Sequence, residues 1–79
     1  MDIQALVELL AIKGQLNESQ VQMLARAIEV FRTPDMAYKW FLSPVLALGN
    51  TRPVELTSDE AGIHEIMKIL GRIEQGVYS

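Results

Sequence analysis

Residues 17–35 read NESQVQMLARAIEVFRTPD, and this stretch decides the fold. Asn17 and Gln20 stand at the spacing of a capping box, in which each side chain satisfies a free backbone amide of the first helical turn. Val21, Leu24, Ala25, Ile28 and Phe31 follow at i, i+3, i+4, i+7 and i+10, which predicts an amphipathic helix running to about Arg32. Thr33-Pro34-Asp35 then starts a second helix at once. Thr33 caps it, Pro34 occupies a position where its missing N–H is harmless, and Asp35 suits the positive end. Ala37, Trp40 and Phe41 share one side of this helix, and Pro44 keeps Ser43 from continuing it.

Working outward, residues 2–14 read DIQALVELLAIKG. Asp2 can cap this segment and Gly14 can end it. Ile3, Leu6, Val7, Leu9, Leu10 and Ile12 have helical spacing but span a wide arc, so the helix needs cover on more than one side. A second copy of the chain or the rest of its own domain would supply that cover. At the other end, Thr57-Ser58-Asp59-Glu60 offers several N-caps in a row, with Thr57 and Glu60 at capping-box spacing. The last helix is expected from about Asp59 to Gln75, with Ile63, Ile66, Met67, Leu70 and Ile73 as its stripe and Gly76 as a left-handed stop. Gly71 lies inside it, where glycine costs about 1 kcal/mol relative to alanine, and close approach of another backbone would explain it. No stretch alternates apolar and polar residues as a strand does. The expected fold is all-α: a compact bundle of four to five helices, dimeric through the first.

Seventy-nine residues make one small domain with a modest core, and such domains usually need a staple. There is no cysteine, which leaves association with another chain as that staple. Seven Lys and Arg against ten Asp and Glu give a formal charge of −3, and the basic residues form no run, which argues against phosphate neutralisation as a main task. No signal-peptide pattern or membrane-spanning stretch is present, so a soluble, cytoplasmic protein is expected.

Catalytic chemistry is thin. His64 is the sole histidine, and a metal site needs three or four convergent ligands, so neither metal nor cofactor nor enzymatic role is expected. Glu65 and Lys68 suit an i, i+3 surface pair. Trp40 and Phe41 have no basic groove around them, which favours core packing over base stacking. Two features remain. The aperiodic loop 43–53, SPVLALGNTRP, holds Val45, Leu46, Ala47 and Leu48 in a row, either packed down or offered to a partner. The end of the chain, LGRIEQGVYS, places Val77 and Tyr78 after the glycine stop.

Together these two features carry a resemblance. From about Leu16 to Ser79 the chain resembles the toxin-binding domain of Xre/MbcA/ParS-like antitoxins. Members carry a phrase like P-x-x-ALGG-x-x-P-x-x-L and close on LLGRIE-x-GV with an aromatic. Here the phrase is PVLALGNTRPVEL, with Pro44, Ala47, Leu48, Gly49, Asn50 and Pro53 at the motif positions, and the close is ILGRIEQGVYS. Val45 stands where the family often has asparagine. Asn50 replaces the second glycine, and asparagine also tolerates positive φ.

The resemblance implies a type II antitoxin that binds and neutralises a cognate RES-type toxin, an enzyme that degrades NAD or transfers ADP-ribose. Its C-terminal region would lie over the toxin's active site. By residue match, the toxin contacts would be Arg72, Glu74, Gly76, Val77, Tyr78 and Ser79. Arg72 brings a multi-donor head and Tyr78 a rigid apolar anchor. The alternative reading is that Gly76, Val77 and Tyr78 fold back on the chain's own core, with Tyr78 covering Trp40 or Phe41, and that Arg72 forms a surface salt bridge. Residues 1–15 are read as a dimerisation helix and 16–79 as the toxin-binding domain. Many relatives add an N-terminal helix-turn-helix, which 15 residues cannot form. DNA binding is therefore not expected, although a DNA-binding regulator of its own operon and a purely structural homo-oligomer are the competing readings.

Overall fold

The computed structural model describes residues 3–11 and 15–76. Four α-helices are present among them: α1 (Ile3–Leu10), α2 (Glu18–Phe31), α3 (Pro34–Phe41) and α4 (Glu60–Glu74). Two 3₁₀ turns, Leu46–Leu48 and Pro53–Leu56, connect α3 to α4. Among the described residues there is no β-strand, and Val45 and Thr51 form an isolated antiparallel bridge. The all-α expectation holds. The radius of gyration is 11.5 Å, what a compact chain of this length takes. Asp2, Ile12 and Gly14, the side chains of Ile3 and Leu6, and the tail Val77, Tyr78 and Ser79 lie outside the described residues.

The helix starts follow their caps. Gln20 N donates to Asn17 Oδ1 at 2.8 Å and Asn17 N to Gln20 Oε1 at 3.0 Å, completing the capping box of α2. Thr33 Oγ1 accepts from Met36 N at 3.2 Å ahead of Pro34. At α4 the cap is Asp59, which accepts from Gly62 N at 2.7 Å. The expected Thr57–Glu60 box does not form. Thr57 Oγ1 donates to Val54 O at 3.0 Å, and Glu60 accepts from Ser19 of α2.

The core is built from Leu10 of α1, Met23, Leu24 and Ala27 of α2, Ala37 and Phe41 of α3, and Ile63, Ile66 and Leu70 of α4. Trp40 sits between Phe31 and Phe41, tilted to the first at 5.4 Å and edge-on to the second at 5.3 Å between ring centroids. The buried stripe of α2 is rotated from the expected one. Gln20, Met23, Leu24 and Ala27 are inside, while Val21 is 49% exposed and Ala25 is exposed. The reason is Gln20, a polar residue at an interior position. Its Nε2 donates to Thr57 O at 2.8 Å and to Leu10 O at 3.4 Å, so its polarity is satisfied there. On α4, Gly62 and Ile69 join the buried face, and Met67 and Ile73 flank it.

α4 packs chiefly along α2, with the two helices running in the same sense. Ser19 meets Glu60 near their starts, and Arg26 meets Glu74 at the end of α4. The second 3₁₀ turn lies across the beginning of α4 so closely that a Cβ on Gly62 would sit 2.0 Å from Leu56 O. Gly71 behaves otherwise. Among the described residues nothing lies within 4 Å of where its Cβ would be, so within the protomer the close backbone approach is the one at Gly62.

Candidate functional site

The two regions singled out by sequence are the end of α4 and the loop after α3. The last turn of α4 finishes as its glycine requires. Gln75 N donates to Gly71 O at 3.2 Å, and Gly76 adopts φ +74° with its N–H on Ile73 O at 3.1 Å. That is the inner bond of a Schellman-type end, which satisfies a carbonyl that the helix leaves open.

Arg72 and Glu74 have different surroundings in this turn. Arg72 is exposed and has no ion pair or side-chain hydrogen bond with another described residue. Glu74 is held by both guanidinium nitrogens of Arg26, Nη1 at 2.8 Å and Nη2 at 2.5 Å. Arg26 also reaches Glu29 at 2.9 Å. The hydrogen bond that Arg26 donates to Glu74 chiefly raises the pKa of Arg26, and the charges of Glu74 and Glu29 add to it, so the guanidinium stays protonated at any working pH. Glu74 is thus engaged within the fold, whereas Arg72 is exposed and has no such partner among the described residues. Val77, Tyr78 and Ser79 complete the sequence-predicted group and lie outside the described residues.

The loop is a closed turn organised by backbone bonds. Val45 O accepts from Leu48 N at 2.9 Å and Asn50 N at 3.0 Å, while Val45 N donates to Thr51 O at 3.1 Å. Closing it takes two consecutive left-handed residues, Gly49 at φ +70° and Asn50 at φ +63°. Asparagine serves at the second position because its short polar side chain tolerates that region. The apolar run is split between inside and outside. Val45 and Pro53 are buried, Leu48 is half-buried, and Pro44 and Ala47 are exposed. Leu46 is 82% exposed, the most exposed large apolar side chain described. The loop leads through the second 3₁₀ turn onto the start of α4, and the tail leaves from its end, about 21 Å of helix away. The motifs therefore sit at the two ends of one helix.

Sequence reasoning missed Arg26, whose role depends on a partner 48 positions away. It missed Gln20 as a buried residue because the capping box already accounted for it. Leu46 carried no separate signal within its apolar run. Among the described residues, no group of three or more His, Cys, Asp and Glu is placed to hold a metal ion, and no helix is long and apolar enough to cross a membrane.

The arrangement is that of a small all-α domain whose distinctive chemistry lies on a helix end and a loop closed by backbone hydrogen bonds. Residues 26–76 match the family model described as the antitoxin Xre/MbcA/ParS C-terminal toxin-binding domain, and the chain belongs to that family. Antitoxin Xre of Photorhabdus laumondii subsp. laumondii is 31% identical over 75 residues, covering 85% of this chain and 51% of that protein. Antitoxin Xre of Yersinia enterocolitica serotype O:8 / biotype 1B is 32% identical over 60 residues, covering 75% of this chain and 40% of that protein. The chain thus spans about half the length of the first relative and less of the second.

Proposed function

We propose that this chain binds a cognate RES-type toxin, one that degrades NAD or transfers ADP-ribose, and silences it in the cytoplasm by covering its active site with residues 72–79. Membership of residues 26–76 in a toxin-binding domain family carries this reading. Two features of the site support it. Arg72 is exposed and unpaired among the described residues, and a guanidinium suits a pocket built for carboxylates or nucleotide phosphates. Gly76 ends α4 in the left-handed region, so the chain leaves the helix axis there. Residues 16–79 form the toxin-binding unit in this reading. Residues 1–15 serve self-association, since Val7 and Leu9 of α1 are only partly covered by the protomer.

Removing residues 76–79 tests the mechanism. The shortened chain is expected to keep its helical circular dichroism and its melting temperature to within a few degrees, yet to lose protection of cells expressing the toxin. Full protection by the shortened chain would sink the occlusion mechanism.

A further inference from the structure

The α2–α4 seam carries a shallow recess of about 170 Å³ lined by Ser19, Gln22, Glu60, Ile63, His64 and Met67. It is smaller than the roughly 300 Å³ at which small-molecule sites begin, and matches a protein side chain better than a cofactor. Gly71 continues the same row of α4. At 3.6 residues per turn it lies within about 40° of Glu60, His64 and Met67 around the helix. Beyond it, the Arg26–Glu74 fork closes that end of the groove.

Gly71 is the unexplained member of this row. Glycine is the poorest helix former after proline. Its φ is not left-handed, and among the described residues nothing lies within 4 Å of where a Cβ would project. Nothing described in the protomer requires it. Gly62, by contrast, is required by the Leu56 backbone.

We infer that Gly71 is a backbone docking point for the toxin. A main-chain segment of the toxin crosses α4 at Gly71, close enough to exclude a Cβ, and seats one side chain in the recess over Ile63 and Met67. This rests on the toxin-binding reading above and extends the contact surface from the tail to the α2–α4 groove. The occupant is the toxin rather than a small molecule because the recess takes only a side chain and the row lies within the toxin-binding family match.

The test is Gly71→Ala in the full chain, with a purified RES-type toxin that the wild-type chain binds as the probe. Alanine is expected to raise Tm by a few degrees through helix propensity, while toxin affinity falls at least tenfold by calorimetry or competition. Stability and binding moving in opposite directions is the signature of this role. Equal affinity of variant and wild type would overturn the inference and leave toxin binding standing. A fall in both Tm and affinity would make Gly71 an internal packing residue, and overturn it too. Altered self-association of the chain alone, with toxin affinity unchanged, would assign the groove to a second copy, also against the inference. Failure of the wild-type chain to bind any purified RES-type toxin would remove the parent reading instead.

Discussion

Gly62 and Gln20 hold the connection between α3 and α4 in place, each through a backbone carbonyl. An added methyl at Gly62 would meet Leu56 O at 2.0 Å, and the obstacle is main chain that cannot rotate away. Overpacking against rigid structure costs up to about 3 kcal/mol, against about 1 kcal/mol gained by replacing a helical glycine with alanine. Gly62→Ala should therefore lose about 2 kcal/mol, seen as a drop of about 10 °C in Tm. An unchanged melt would mean that the 3₁₀ turn is free to lift. Gln20 is 1% exposed, and its amide serves Thr57 O and Leu10 O. Gln20→Leu keeps most of the volume but strips both carbonyls of their donor and breaks half of the capping box. It should cost about 1–3 kcal/mol in urea unfolding. A variant as stable as wild type would show that water replaces the amide at no cost.

At the scale of elements, the helix starts were legible because caps are local. Asn17 with Gln20, and Thr33 before Pro34, act across three or four residues and need nothing from the rest of the fold. The choice at Thr57-Ser58-Asp59 was not local: Thr57 is drawn to Val54 O and Glu60 to Ser19, which leaves Asp59 as the cap. The inward face of α2 was misread by about one position for the same reason, since only the carbonyls of Thr57 and Leu10 make a buried glutamine affordable. In the candidate site, the glycine stop at Gly76 and the tolerance of Asn50 for positive φ could be read from residue type. The engagement of Glu74 by Arg26 could not, because it depends on how α2 and α4 run alongside one another. That fork fixes the last turn of α4. Arg26→Glu should repel Glu74, lower Tm and speed amide exchange over residues 72–76. Combining it with Glu74→Arg should restore part of both, more at low salt because the pair is partly exposed, with the rest lost because the new carboxylate faces Glu29. The raised pKa of Arg26 adds stability that is lost only as pH climbs above the ordinary arginine value, so no change across neutral pH is expected from it. If the double reversal repaired the fold but not toxin binding, Glu74 would also be a toxin contact.

At the scale of the whole molecule, α1 is held on one side and open on another. Leu10 is 2% exposed in the core and its carbonyl accepts from Gln20, whereas Ala5, Val7 and Leu9 are half-buried, and Gln4 and Glu8 face solvent. A domain of this size buries only about 60% of the surface that its unfolded chain exposes, so apolar area left on a helix flank weighs heavily in its stability. A second copy packing along that flank would recover the area. Deleting α1 would test this poorly, because losing Leu10 alone costs about 2–5 kcal/mol and could unfold the protomer. Ala5→Glu is the sharper probe: Ala5 is half-buried beside Leu9 on the helical wheel, at the edge of the solvent-facing side that Gln4 and Glu8 mark, and lies outside the core cluster. Light scattering of the wild-type chain at tens of micromolar should give twice the protomer mass. The variant should give one protomer mass with an unchanged helical spectrum, because a carboxylate buried in the interface without a partner is strongly unfavourable. A wild-type chain that is monomeric at that concentration, or a variant that still doubles, would place the self-association surface elsewhere or remove it.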